Sequence, residues 1–447
     1  MKKQEINRLW VLVNKLRGAF DATELYKIML YALLFKYLEL KKDEIDFYDE
    51  KFSLGYLSLT YGKIIYSGNL VGYLTEVENF YNIEYGVLCE TIDPILYKAD
   101  EDSVRHIFES IDCIEINEQK DLYELSKLIV ERMSLQTRRE LSYHYTSESL
   151  AKLEKGILDV QKGMKVYDGY CGSGLSVNEV AAGKGTVYLQ DLSVQAIGVA
   201  TILTLLSGNK IGIIKCGDSI LNPIPTENGY DRIVIESPLK ISYESAYLRF
   251  LEEGNVLYSN FIESETIGIR HAIAQLKLDG MAVAFVPMGI LFKAGKTKKI
   301  RELLVEDRYI DSVVELPNGI IHYTMATTAL LILKRNRLKD DNSVFMINAR
   351  SFFENTKRGC SISDEKISKL TEIIKNKKII KDISKKVDAN IIKKNEYNLC
   401  PQQYVMENPE ENIVIGDTEK LIKTYKNLKK EFNILEDKLE KIRAKFI

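Results

Sequence analysis

Val166-Tyr167-Asp168-Gly169-Tyr170-Cys171-Gly172-Ser173-Gly174 is the stretch on which the reading of this chain turns. Val166 to Asp168 reads as the end of a first strand. Gly169, Gly172 and Gly174 then form a turn in which the backbone can approach a ligand and take positive φ. A helix beginning near Gly174 would offer its free N–H groups to polar ligand atoms. Asp168 is placed to accept a hydrogen bond, directly or through water, from the amino-acid end of a cofactor. A dinucleotide fingerprint would need G-x-G-x-x-G; Gly172 and Gly174 supply the first two positions, but the third is Val177.

Working outward, short β-rich runs alternate with helical stretches: 165–168, 185–190, 211–215, 231–235, 281–287, 312–316 and 329–334, with helices such as 174–182 and 194–206 between them. That alternation predicts a mainly parallel sheet covered on both faces, with ligands bound at the carboxyl ends of its strands. Asp191 closes the second strand and is placed to accept both hydroxyls of a ribose. Asp218, after the third, is placed to receive the amino group of an adenine. One Asp after a strand is commonplace. Three at successive strand ends, behind a glycine turn, are a joint signal for a nucleoside pocket.

The flanks differ in texture. Residues 1–138 read as an all-α domain, with Leu9, Leu12, Val13, Leu16 and Phe20, then Leu30, Leu33, Leu34, Tyr37 and Leu38, at helical spacing. The sheet domain spans 139–345. A lysine-rich extension covers 346–415, and 416–447 is a heptad helix. Its Leu421, Tyr425, Leu428, Phe432, Leu435, Leu439 and Ile442 form a narrow seam suited to a partner helix.

Hydrophobic residues at 45% and charged residues at 28% describe an ordinary globular chain. No apolar run reaches the roughly 20 residues of a membrane span, and the N-terminus carries no apolar signal core. The six cysteines show no C-x-x-C pair and no metal spacing with the four histidines. The expectation is a cytoplasmic protein without a metal. A net charge of −2 makes any nucleic-acid surface a local one.

With these residues in place the match becomes specific. The chain resembles the modification (M) subunits of type I restriction–modification systems, adenine-specific DNA methyltransferases. Tyr143-His-Tyr-Thr146 resembles that family's "F/Y-Y/F-T-P" segment, with Ser147 in place of proline. Asp168-Gly-Tyr-Cys-Gly-Ser-Gly174 is similar to D-P-x-C-G-S-G, with Gly169 in place of proline. Asp279 to Pro287, Gly289 to Phe292, Glu315 to Gly319, and Asn395-Glu-Tyr-Asn-Leu399 followed by Tyr404 resemble later motifs. The resemblance implies an α/β fold: an N-terminal all-α domain, a Rossmann-like S-adenosylmethionine-dependent methyltransferase domain and a C-terminal coiled-coil-type helix. It implies S-adenosylmethionine held by Tyr145, Thr146, Asp168, Gly172, Ser173, Gly174, Asp191, Leu192, Asp218 and Ser219. The implied partners are double-stranded DNA, a second M-type subunit, a DNA-specificity subunit on the Leu421–Ile442 helix, and in some assemblies a nuclease/translocase subunit.

One motif departs. Where the family carries Asn-Pro-Pro-Phe/Tyr to bind the target amine and stack on the flipped base, this chain has Glu236-Ser237-Pro238-Leu239. Three departures in four positions argue for lost or redirected catalysis, against an active adenine methylase in which Glu236 accepts from the amine. A small-molecule methyltransferase would leave the helical domain and heptads unexplained. Lys293, Lys296, Lys298, Lys299 and Arg301 form a basic cluster that fits either phosphate contacts or a solvated helix start.

Overall fold

The computed structural model describes residues 3–16, 22–66, 68–96, 100–136, 146–237, 264–320, 327–336, 341–356 and 359–406. Up to residue 136 the described chain is helical: α1 (Lys3–Leu16), α2 (Ala22–Leu40), α3 (Leu54–Tyr66), α4 (Asn69–Phe80), α5 (Val87–Leu96), α6 (Glu101–Asp112) and α7 (Gln119–Gln136). In α2 every residue from Leu25 to Phe35 is buried. A helix apolar all round must be surrounded, so α2 is the centre of this region. Its one cation there, Lys27, donates to the side-chain oxygen of Gln195.

Helix α8 (Glu148–Leu158) leads into the sheet. Ser147 is its N-cap, and the Ser147 hydroxyl accepts from the Leu150 N–H at 3.3 Å. This is the physical reason that serine serves where the resemblance expects proline: it satisfies an otherwise orphaned helix donor. There follow β1 (Lys165–Asp168), α9 (Leu175–Ala181), β2 (Thr186–Asp191), α10 (Val194–Ser207), β3 (Lys210–Cys216), β4 (Tyr230–Ile235), α11 (Ser264–Gln275) and β5 (Leu276–Pro287). Next come α12 (Gly289–Phe292), α13 (Lys296–Glu306), β6 (Ile310–Glu315), β7 (Thr328–Lys334), β8 (Ser343–Asn348), β9 (Glu354–Thr356), β10 (Gly359–Ser361), α14 (Asp364–Lys375) and β11 (Ser384–Asp388).

Nine of these strands form one sheet in the order β11-β8-β6-β7-β5-β4-β1-β2-β3. The block β5-β4-β1-β2-β3 is parallel throughout, and β7 runs antiparallel between β5 and β6. Strands β6 and β7 are almost wholly buried, and β7 is the near-continuous apolar run expected of a strand covered on both faces. The seven strand runs read in the sequence are all present. Strands β8 and β11 are additional members of this sheet; in β11 Lys385 and Lys386 mask the period.

The helical region meets the sheet at its β3 edge and at α10. Ile83 forms a parallel bridge to Ile214, and the Asn82 amide donates to Gly212 O at 2.6 Å. On the neighbouring face, Gly198 of α10 lies against Thr91 of α5. A Cβ at position 198 would stand 2.1 Å from the Thr91 hydroxyl oxygen, so only glycine permits this helix crossing. Among the described residues no helix is long and apolar enough to cross a membrane.

Candidate functional site

Asp168 ends β1, Asp191 ends β2, and Asp218 follows β3 by two residues. These strands are neighbours, paired in parallel, so the three carboxylates stand along one edge of the sheet. Hydrogen bonds to Asp191 join the turns that carry the other two. Gly172 N–H donates to Asp191 Oδ2 at 2.9 Å and Ser193 N–H to Asp191 Oδ1 at 2.9 Å. The Gly217 N–H donates to the Asp191 carbonyl at 2.8 Å. Asp218 Oδ1 accepts from Ile220 N–H at 2.8 Å and Leu221 N–H at 3.1 Å. Asp168 is buried and accepts from Tyr170 N–H at 3.0 Å. Ser173 and Ser219 are buried beside these turns, while Leu192 is 74% exposed at the rim.

The turn itself needs its glycines. Gly172 has φ 52° and Gly174 φ 74°, the left-handed region. At Gly174 a Cβ would also come within 3.0 Å of the Ala200 methyl, so the turn sits directly on α10. Gly169 has a different cause. Its added Cβ would lie 2.5 Å from the Tyr167 hydroxyl, which shares a hydrogen bond of 3.0 Å with His271 Nε2. Tyr167 in turn stacks on Tyr230 with ring centroids 4.4 Å apart. A proline ring has no room here because a tyrosine hydroxyl occupies its place. Burial pushes the His271 imidazole down to about 3, so it stays neutral.

Below the turn lies a group of carboxyls. Thr146, buried at the start of α8, donates from its hydroxyl to Glu236 Oε1 at 2.7 Å. The two motif segments are thereby tied together, 90 residues apart in sequence. Burial raises the Glu236 carboxyl to about 7, with the Thr146 bond opposing. Glu154 of α8 is fully buried; its Oε2 accepts from the Ser176 hydroxyl, and its Oε1 has no hydrogen-bond partner among the described residues. Burial first, then the charges of Glu236 and Asp168, hold Glu154 far above the usual carboxylate range. Asp168 is raised by burial and then by Glu236 and Asp191, and Asp191 is raised by burial. Burial likewise lifts the Cys171 thiol, which suits packing and not nucleophilic attack.

Glu154 went unread in the sequence, although a signal was there. It interrupts the buried face made by Leu150, Ala151, Leu153, Ile157 and Leu158, and a lone acid on an apolar stripe asks for a partner. Ser237 is buried, its Oγ has no hydrogen-bond partner among the described residues, and it packs against Gly268, where a Cβ would meet that oxygen. Tyr145, Pro238, Leu239 and the Leu421–Ile442 heptads lie outside the described residues.

The basic cluster divides. Lys293 and Lys299 are exposed beyond the carboxyl end of β5, whereas Lys298 is paired with Glu396 and with Glu302 at 3.9 Å. The side chain of Lys296 lies outside the described residues. Arg301 does not belong to such a surface. It is fully buried and donates to Tyr397 O at 2.8 Å and Ile290 O at 2.9 Å. With Leu399 N–H donating to Leu291 O at 2.8 Å, it fastens Asn395–Leu399 to α12 and α13.

The N-6 DNA methylase family profile matches residues 119–412, more than half of the chain. The methylase subunit of the type I restriction enzyme MpnII from Mycoplasma pneumoniae is 28% identical over 186 residues, 40% of this chain and 34% of that one. The MjaVII methylase subunit from Methanocaldococcus jannaschii is 26% identical over 314 residues, 66% of this chain and 54% of that one. The chain thus spans about a third to a half of the length of these curated relatives. In fold it is similar to a type I restriction-modification methyltransferase subunit from Streptococcus thermophilus, with TM-score 0.71 and 18% identity over 90% of this chain and 99% of that one. The chain belongs to the N-6 DNA methylase family, and within it is similar to the methylase subunits of type I restriction enzymes.

Proposed function

We propose that this protein is the methyltransferase-fold subunit of a type I restriction–modification-like DNA defence complex in the cytoplasm, binding S-adenosylmethionine and DNA, with its own methyl transfer lost or redirected. The donor set fits that cofactor. Asp168, Asp191 and Asp218 form a carboxylate rim suited to hydroxyls, amino groups and positive charge, and unsuited to the pyrophosphate of a dinucleotide. In this reading Asp168 and the turn through Gly172, Ser173 and Gly174 hold the amino-acid end. Asp191 takes the ribose hydroxyls, Leu192 and Ser219 flank the base, and Asp218 takes the adenine amine. Tyr145 and Thr146 close the pocket. S-adenosylmethionine supplies an electrophilic methyl group on a cationic sulfur.

The observation that carries the loss of transfer is Glu236 bonded to Thr146 at the end of β4. The family's asparagine is neutral and offers an acceptor to the target amine. Glu236 is longer by a methylene and is half-buried. Its Oε1 already accepts from Thr146, and its charge is costly beside Asp168 and Glu154. A second reading keeps activity, and its support is the same placement: an ionised Glu236 at a strand end is an acceptor for an amine proton. Double-stranded DNA would lie across the carboxyl edge, near Lys293 and Lys299. A specificity subunit would take the Leu421–Ile442 helix, beside a second M-type subunit and a nuclease/translocase subunit.

The test is co-expression with the specificity gene from the same locus, followed by sequencing of host DNA for N6-methyladenine. An unmodified genome is expected; a fully modified motif overturns the loss of transfer. Calorimetry with S-adenosylhomocysteine tests the pocket separately, and a folded chain that fails to bind it removes the cofactor reading.

A further inference from the structure

The segment from Asn82 to Gly86 joins α4 to α5 and lies along the outer edge of β3. Ile83 is buried and bridges in parallel to Ile214; the Glu84 N–H donates to Ile214 O at 3.2 Å, and the Asn82 amide to Gly212 O at 2.6 Å. The helical region thus adds a single parallel β-bridge to the outer edge of β3, near its carboxyl end. The segment has its own support. Glu78, fully buried, accepts from Gly86 N–H at 2.8 Å and Leu88 N–H at 2.6 Å.

The Glu84 side chain does something different. Its Oε2 accepts from the N–H of Cys216, the last residue of β3, at 2.6 Å. Cys216 opens the turn Cys216-Gly217-Asp218. The next N–H along, that of Gly217, is held by the Asp191 carbonyl at 2.8 Å. Gly217 has φ 141°, a conformation that needs glycine. The turn is therefore gripped by the β2 end on one side and by a carboxylate from the helical region on the other, and Asp218 sits at its tip.

We infer that Glu84 is a positioning residue of the cofactor site: by holding Cys216 N–H it sets the turn that presents Asp218 to the adenine amino group. The inference rests on the proposed S-adenosylmethionine pocket. Glu84 touches no ligand in this scheme and acts through the turn. Recognition of the base then depends on a residue supplied from outside the nucleotide-binding half of the sheet.

The test uses the full chain and two ligands, S-adenosylhomocysteine and S-inosylhomocysteine, in which an oxo group replaces the adenine amine. Calorimetry gives both affinities for the wild type, Glu84→Ala and Glu84→Gln. The wild type is expected to prefer the adenine compound. Glu84→Ala should cut that preference about fivefold, the scale of one hydrogen bond. Its melting midpoint should stay in place, because Glu78 and Asn82 still hold the segment. Glu84→Gln keeps an acceptor and should keep most of the preference. A wild type that binds neither compound overturns the pocket itself. A wild type that binds both equally removes Asp218 from amine recognition and overturns the inference. An unchanged preference in Glu84→Ala, or a parallel loss of both affinities, overturns it with the pocket intact.

Discussion

The hydroxyl of Thr146 donates to Glu236 Oε1 at 2.7 Å, so the residue just before the N-cap of α8 and the residue that follows β4 form one polar unit. Because this bond holds the Glu236 carboxyl down against its burial, removing it has a defined sign. In Thr146→Val the carboxyl should titrate still higher than in the wild type, read by NMR of labelled glutamate carboxyl carbons. The fold should lose about 0.5–1.5 kcal/mol at pH 8, the usual net worth of such a bond. Thr146→Ser should restore both.

Glu236 also makes stability depend on pH. Its carboxyl is raised from 4.5 to about 7 in the folded chain, so folding favours the protonated form. The contribution is fully present below about pH 4.5 and is lost as pH rises through about 7. Glu236→Gln lacks this loss. Relative to the difference at pH 4.5, the variant should gain about 1–2 kcal/mol over wild type by pH 8 in urea titrations. Parallel stability curves would show that the group titrates normally.

At Gly169 the cost is steric. Gly169→Ala places a Cβ 2.5 Å from the Tyr167 hydroxyl and should destabilise by about 1–3 kcal/mol. Tyr167→Phe removes that oxygen but leaves the ring carbon 3.0 Å away. The double variant should therefore recover part of the loss, with a coupling of about 1 kcal/mol in a thermodynamic cycle. Strict additivity would mean the two positions do not compete.

Arg301 is a structural cation. Arg301→Met strips donors from Tyr397 O and Ile290 O and should cost about 2–4 kcal/mol. Hydrogen exchange at the Leu399 amide should quicken, since Asn395–Leu399 loses its anchor. Arg301→Lys should rescue little, because a single ammonium cannot match the planar fork that serves two carbonyls.

For the exposed lysines the expectation is electrostatic. Lys293→Ala with Lys299→Ala should weaken duplex binding alike for all sequences and flatten its salt dependence. Each lost phosphate contact takes about 0.9 from the slope. Unchanged slopes would make these two side chains merely solvated.

What the sequence made legible was whatever depends on local pattern. The strands from β1 to β7 announce themselves as apolar β-branched runs, and Asp168, Asp191 and Asp218 fall at strand ends because the alternation fixes where strands stop. Gly172 and Gly174 are legible as turn residues, and their positive φ agrees. Less visible were features that exist only between segments. Gly169 is explained by Tyr167, two residues away, but only through His271, a hundred residues on. Glu154 matters because Glu236 and Asp168 face it, and Glu84 because β3 ends beside it. Arg301 sits in a lysine-rich run, and the carbonyls that bury it come together only in the fold. Strand β11 was hidden because the solvent-facing Lys385 and Lys386 break the apolar period that marks a strand.

Those lysines have a consequence of their own. Among the described residues β11 is the last strand of the sheet; its Lys385 and Lys386 are both exposed, and Lys386 pairs with Asp341 at 3.1 Å. An outermost strand invites a second chain to zip onto it, and the cost of desolvating its charged side chains opposes that approach. At the far side the sheet is shielded by Ile83 and Glu84. The chain thus guards its two flanks against fibre formation by different means, one with charge and the other with a piece of itself.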